Sequence, residues 1–170
     1  MNENIMYTPH FAEQEFVKSA TAQKYGIVNN PPPEATANLC RLCENTLEPL
    51  REELGLPVII TSGYRCKALN ERITHHANCS QHMSGCAADF YVGVQGSRFK
   101  VQGESHRERL IRAFQLIITS DKVDYDHVII YENFIHVSYV SRSANRHRIT
   151  MADGRGTYCA LTRALALSLV

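Results

Sequence analysis

Three residues of this sequence could together hold a metal ion. His82 lies in a polar stretch, SQHMSG. Asp89 follows seven positions later, inside the apolar run CAADFYV, and His136 sits in another such run, FIHVSYV. Both runs have strand character, with side chains alternating between two faces. In the first, Cys86, Ala88, Phe90 and Val92 share one face; Ala87, Asp89 and Tyr91 share the other. In the second, Ile135, Val137 and Tyr139 share a face, and His136 lies opposite with Phe134 and Ser138. A carboxylate planted in a half-buried sheet needs a cation, a set of donors or a metal. Two imidazoles and one carboxylate suit catalytic zinc, which takes three protein ligands and keeps a position open. Zinc held there would lower the pKa of a water toward neutrality and polarise a carbonyl. Taken alone, the pattern also fits an Asp89 that caps a turn or pairs with an arginine. Cys79 and Cys86 bracket His82 and offer a rival thiolate set, but Cys86 faces away from Asp89. Of the other histidines, His75 and His76 fall in a polar loop and are expected in solvent. His10, His106, His127 and His147 carry no local signal.

The elements that must position these residues can be read in order. A short helical stretch, FAEQEFVKSATAQKYG, ends at Gly26, and NNPPPE stiffens the approach to a second helix. From Glu34, the residues Leu39, Leu42, Cys43, Thr46, Leu47, Leu50 and Leu54 recur at helical spacing. Pro49 should kink this helix and Gly55 should end it. VIITS, residues 58–62, is a β-branched strand, and SGYR turns from it into a short helix near Lys67. The loop THHANCSQHMSG leads to CAADFYV, with Gly85 allowing the turn into the strand. GVQGSRFKVQG could add a strand or a hairpin arm. Ser105 to Glu108 forms a capping box. It opens a helix whose buried face is Leu110, Ile111, Phe114, Ile117 and Ile118. DHVIIYE and FIHVSYV read as two strands joined by a tight turn at Glu132-Asn133. Residues 141–170 are polar and basic, with a DGRG turn and an apolar end, ALTRALALSLV, expected to pack as a helix. The sum is an α+β fold, helices packed on a small, mostly antiparallel sheet.

The totals set limits. A chain of 170 residues suits one domain with a proper core, and 44% hydrophobic with 21% charged residues is ordinary for a globular protein. A net charge of +1 gives no case for nucleic acid or an anionic membrane. No apolar run is long enough to span a bilayer. MNENIMYTPHFAEQEF has neither the basic nor the apolar region of a secretory signal, so none is expected. Six cysteines could pair, but a chain this long needs no staples. Cys40 and Cys43 are expected to be helix-core residues rather than a redox or zinc pair.

Four segments in order, ITSGYRCKALNERI, SQHMSGCAADFYV, IIYE and FIHVSY, resemble the zinc D-alanyl-D-alanine carboxypeptidases, a group allied to lysostaphin-type peptidases and hedgehog domains. The stretch from Phe11 to Gly55 resembles the leading part of such domains, so the likeness covers about residues 10–140. Residues 141–170 form an extension within a single domain of residues 1–170. The resemblance implies a hedgehog/DD-peptidase-like fold, with His82, Asp89 and His136 as the ligands of Zn2+. It implies Arg65 as the anchor of the substrate's terminal carboxylate, a role its planar fork suits, and Ser80 as a substrate contact. Its implied substrate is a peptidoglycan stem peptide. Relatives place an acidic base three positions before the last ligand, where this chain has Asn133; Glu132, one step earlier, is the expected catalytic base, with Asp124 and Asp126 as outsiders.

The resulting expectation is a zinc metallopeptidase of the cell wall, either a D-Ala-D-Ala carboxypeptidase or a murein endopeptidase. Without a signal segment, it fits a phage lysis or virion-associated enzyme, or a bacterial protein exported by another route. The rival expectation is a non-catalytic, zinc-stabilised cell-wall-binding module, or a phage structural component of the same fold, that keeps the ligands and lacks the base.

Overall fold

The computed structural model describes residues 5–73, 79–94, 104–153 and 155–170. His75 and His76, most of the expected GVQGSRFKVQG arm and Gly154 of the DGRG turn lie outside them. The chain opens with a small antiparallel pair, β1 (Met6–Thr8) and β2 (Phe11–Ala12), which the sequence reading did not anticipate. The first helical stretch is two short helices, α1 (Glu13–Val17) and α2 (Ala20–Tyr25). Ser19 breaks them apart because its hydroxyl accepts the Ala22 N–H at 3.2 Å, making it an N-cap.

The proline-led helix runs as α3 (Pro33–Leu42), a π-helical turn (Cys43–Leu47) and α4 (Glu48–Leu54). The wide turn falls just before Pro49, where an ordinary turn would meet a missing N–H and a ring clash. Gly55 closes α4 in the left-handed region at φ 66°. Then follow β3 (Val58–Ser62), α5 (Lys67–Asn70), a 3-10 turn (Gln81–Ser84) and β4 (Ala87–Val92). The expected capping box opens α6 (His106–Thr119), with Ser105 accepting from Glu108 N–H and the Glu108 carboxylate reaching back to Ser105 N–H. Its five anticipated core residues are all buried. Strands β5 (His127–Ile130) and β6 (Ile135–Ser138) form the expected hairpin; the Tyr131 N–H donates to Phe134 O at 2.9 Å across the Glu132-Asn133 turn.

The sheet does not end there. β7 (Arg148–Ala152) joins β5 in parallel and β8 (Tyr158–Ala160) joins β7, giving six strands in the order β3-β4-β6-β5-β7-β8, antiparallel except at β5–β7. A last helix, α7 (Arg163–Leu167), packs through buried Ala166, and Gln115 on α6 donates to the carbonyls of Leu167 and Leu169. The architecture is α+β. No described helix is long and apolar enough to cross a membrane.

The sheet is two-sided. Val58, Phe90, Val92, Val128, Ile130, Ile135 and Val137 point into one core with Phe11, Phe16, Leu39, Leu47, Leu50, Leu110, Phe114 and Ile117. Asp89, His136 and His127 are on the other face, as the alternation within β4, β5 and β6 requires.

Candidate metal centre

Asp89 and His136 are direct cross-strand partners on β4 and β6. Residues so paired have Cβ atoms about 5 Å apart, close enough for their side chains to meet. The His136 Nδ1 lies 2.8 Å from Asp89 Oδ1. His82 arrives from the 3-10 turn above the strand. That turn is locked from three sides. Gly85 leaves it at φ 73°, and a Cβ there would stand 2.3 Å from the Ala35 carbonyl oxygen. Asn38 on α3 donates to Ser84 O at 2.8 Å, and the Arg65 N–H donates to His82 O at 3.2 Å. His82 Nε2 ends 3.3 Å from both Asp89 Oδ1 and His136 Nδ1. All three ligand atoms lie within 4.8 Å of one another, and no other such set occurs among the described residues. The thiolate alternative is not assembled: Cys86 is buried, Cys79 is exposed, and neither joins the set.

The hydrogen bonds decide what can sit between these atoms. His82 Nδ1 lies 2.7 Å from the Gly63 carbonyl and must donate to it. Its Nε2 is then a lone pair, as in metal-binding histidines oriented by a carbonyl. Gly63 can supply that carbonyl because a Cβ there would come 2.6 Å from Phe16 Cα; only glycine lets this backbone lie against α1. So the His82 lone pair faces a carboxylate oxygen, acceptor against acceptor. A cation placed among them would relieve that opposition. Burial lowers the pKa of His82 and so disfavours a proton. Burial alone would raise the pKa of Asp89, but its surroundings, the hydrogen bond from His136 among them, outweigh it and keep the carboxylate ionised. A neutral imidazole, an ionised carboxylate and a second imidazole fit a divalent ion such as zinc.

Arg65 flanks the set. Its Nη2 donates to Asp89 Oδ2 at 2.7 Å and its Nε to Ser62 Oγ at 2.9 Å. A guanidinium has five N–H donors, so three remain without a partner among the described residues. Arg65 also lines a cavity of about 710 Å³ bounded by β3 and by residues 18–21. Neither this cavity nor a wider one, about 1070 Å³ between α6 and the C-terminal segment, has His82, Asp89 or His136 in its lining; Arg65 alone links the first to the set.

The other expected site residues are not gathered in. Ser80 is half-buried at the head of the 3-10 turn, with no side-chain hydrogen bond among the described residues. Glu132 is exposed at the tip of the β5–β6 hairpin and makes no hydrogen bond or ion pair among the described residues. Tyr131 and Phe134 occupy the hairpin positions beneath it, rings stacked 4.2 Å apart at 11°. Asp126, an outsider candidate for the base, is fully buried and bonded to Arg146, Gln81 and Ser138. Asp124 pairs with His147. His10 pairs with Glu48, and His106 bonds the Asn133 carbonyl at 2.9 Å.

Three neighbours of the set escaped the sequence reading. Gly63 orients His82. Gln81, bonded to Asp126 at 2.9 Å, anchors the turn that carries His82. His127 shares the open face with His136, 6.3 Å between ring centroids, and bonds Thr150 Oγ1 at 2.8 Å. Burial and the neighbouring cationic groups lower its pKa to about 4, so it is neutral at pH 7. Only Gly63 had a local signal, in the strand-to-turn segment SGYR.

No curated protein matches this chain. A family model described as peptidase M15 matches residues 9–138. The match takes in Gly63, Arg65 and all three members of the His-Asp-His set, and stops at the end of β6. With that match over most of its length, the chain belongs to the peptidase M15 family.

Proposed function

We propose that this chain is a zinc-dependent metallopeptidase that hydrolyses peptidoglycan stem peptides, as a D-Ala-D-Ala carboxypeptidase or a related murein endopeptidase. The observation that carries the reading is the joint placement of the His82-Asp89-His136 set and Arg65. An acceptor cluster that calls for a cation adjoins a guanidinium with spare donors beside an open cavity. Zinc bound by the three ligands would supply Lewis-acid polarisation of a scissile carbonyl and an activated water.

The residues of the chain do the remaining work. The Gly63 carbonyl holds His82 in the tautomer that presents Nε2. Arg65 has two tasks: it holds Asp89 in place through Oδ2, and its free N–H groups take the carboxylate of a C-terminal residue. In an endopeptidase the same donors would meet a peptide carbonyl. Ser80 borders the His82 turn and is assigned a substrate contact. Glu132 is assigned the proton transfer. From the exposed hairpin tip it must swing over the open face when substrate binds; catalytic hydrogen bonds commonly tighten only in the complex.

The position of Glu132, outside the cluster, favours a second reading: a zinc-stabilised cell-wall-binding module, or a phage structural module, without turnover. The two readings separate in one experiment. Zinc content is measured on wild type, His136→Ala and Glu132→Gln, and each is incubated with purified muropeptides and followed by mass spectrometry. The peptidase reading expects about one zinc per chain in wild type and Glu132→Gln, loss in His136→Ala, and cleavage by wild type alone. Removing a general base should lower turnover by about 10²–10⁴. Zinc retention with no cleavage by wild type would support the binding module; absence of zinc binding would defeat both.

A further inference from the structure

The face of the sheet opposite the core is laid out in rows, with Asp89, Ile129 and Thr150 buried and Tyr158 exposed. One row runs Asp89, His136, Ile129, Thr150 and Ala160 across β4, β6, β5, β7 and β8. The next row, two residues along each strand, is aromatic. It holds Tyr91, Phe134, Tyr131, then small Ala152, then Tyr158. Phe134 stacks on Tyr131, and the Tyr131 and Tyr158 rings meet edge to face at 6.2 Å and 87°. Their hydroxyls are 3.2 Å apart. Ala152, in register with Tyr158, leaves the room for that meeting. The backbone beneath Tyr131 is pinned by Arg107 on α6, which donates to its carbonyl at 2.6 Å.

Arg65 lies beyond Asp89, on the β3 side. The tyrosine pair lies on the far side of His136. A peptide whose scissile carbonyl meets the metal set, and whose leaving residue turns toward Arg65, must send its acyl portion toward the tyrosines. We propose that Tyr131 and Tyr158 form the subsite for the acyl portion of the peptide, so that β8, beyond the family-matched residues, sets a preference for long substrates. This rests on the peptidase reading above.

The span fixes the substrate length. β8 lies three strands from β6, about 14 Å at the usual strand spacing, and an extended peptide covers about 3.4 Å per residue. About four residues on the acyl side reach Tyr158, and two do not. Tyr158 is 56% exposed, so its ring is open to a ligand and its replacement leaves the core intact.

The test compares a stem pentapeptide ending in D-Ala-D-Ala with the bare dipeptide D-Ala-D-Ala. Zinc-loaded wild type, Tyr158→Phe and Tyr158→Ala are measured by steady-state kinetics and by calorimetric binding of both peptides. Loss of one aromatic contact should raise KM and Kd for the pentapeptide about five- to tenfold in Tyr158→Ala. The preference for pentapeptide over dipeptide should fall by the same factor. Tyr158→Phe should fall between the two if the hydroxyl pair contributes. If wild type cleaves the pentapeptide and Tyr158→Ala keeps its full preference, the subsite is wrong and the peptidase reading stands. If wild type binds the pentapeptide through Tyr158 without cleaving it, the subsite stands and the peptidase reading fails. Absence of pentapeptide binding overturns both.

Discussion

Replacing Asp126 should reveal how the C-terminal segment supports the metal centre. This carboxylate is fully buried between β5 and the start of β7. Its Oδ1 accepts from the Arg146 N–H at 2.9 Å and from Arg146 Nε at 2.8 Å. Its Oδ2 accepts from Arg146 Nη2 at 2.5 Å, from Gln81 Nε2 at 2.9 Å and from Ser138 Oγ at 3.3 Å. Gln81 precedes His82, and Ser138 is two residues from His136, so the hub touches both histidine-bearing elements. Asp126→Asn keeps the shape and one acceptor. It removes the charge and turns a donor toward Arg146 Nη2. One charge-assisted bond is worth about 1.5–3 kcal/mol, so the loss should be about 2 kcal/mol. Asp126→Ala removes every acceptor; the half-exposed Arg146 guanidinium can turn to water, but the Gln81 amide and the Arg146 backbone N–H lose their acceptor, and at about 1–3 kcal/mol for each such donor the cost should be about 3 kcal/mol. For a chain of this size 1 kcal/mol moves Tm by about 2–4 °C. The drops should be about 4–8 °C for the asparagine and about 6–12 °C for the alanine, by circular dichroism at pH 7. Zinc affinity, measured by competition with a chromogenic chelator, should weaken in the same order, because Gln81 loses its anchor. Equal Tm values for wild type and Asp126→Asn would refute the hub. A Tm drop with unaltered zinc affinity would refute its link to the metal centre.

Two further outcomes follow from the same geometry. Gly85→Ala should loosen the turn that carries His82. The left-handed backbone alone costs about 1–2 kcal/mol, and the new Cβ would drive the turn off Ala35, so zinc affinity should fall at least tenfold while Asp89 and His136 stay paired. Acid should destabilise the fold in two steps. His127 has its folded pKa lowered to about 4, below the unfolded value near 6.5, so the unfolded chain binds the proton first and stability declines as pH falls from about 6.5 toward 4. The ring is half-exposed, and solvent screening leaves this step about 1 kcal/mol. Asp126, also lowered in the fold, holds its contribution above about pH 4 and loses it below. Urea unfolding of His127→Gln between pH 4 and 7 checks the first step: the decline above pH 4.5 should flatten, and an unaltered profile would contradict it.

What the sequence made legible was local. The alternation in CAADFYV and FIHVSYV placed Asp89 and His136 on one face, and the strand register then made them partners. The Ser105–Glu108 box and the Glu132-Asn133 turn were readable because capping and hairpin chemistry lie within four residues. The hidden parts are distant pairings. Arg146 finds Asp126 from twenty positions away, and β7 joins β5 in parallel only after residues 139–147 have passed from β6 round the start of β5. Gly63 serves His82 through its carbonyl, which every residue has; what singles out glycine is the close approach of Phe16, invisible in one dimension. Glu132 shows the converse. Its sequence offset from His136 suggested proximity, but a two-residue turn sends it outward while Tyr131 and Phe134 fill the space on the open face.

The sheet explains why a weak three-residue signal yields a tight site. One face carries the core, so the register of β4 against β6 is fixed by Ala88, Phe90, Ile135 and Val137; a slip of one residue would turn all of these to solvent. Asp89 and His136 inherit that precision without paying for it in flexible loops. His82 does come from a loop, but one tied by Gly63, Arg65, Asn38 and Gly85 to α1, β3 and α3. The fold therefore holds two acceptors, His82 Nε2 and Asp89 Oδ1, 3.3 Å apart against their mutual repulsion. A divalent ion would relieve that repulsion, and every part of its binding energy that favours the folded chain would add to stability. Zinc should accordingly raise Tm in proportion to the logarithm of its free concentration above Kd, and Asp89→Ala, which removes one of the two opposed acceptors, should be nearer to wild type in the metal-free form than in the zinc-loaded one.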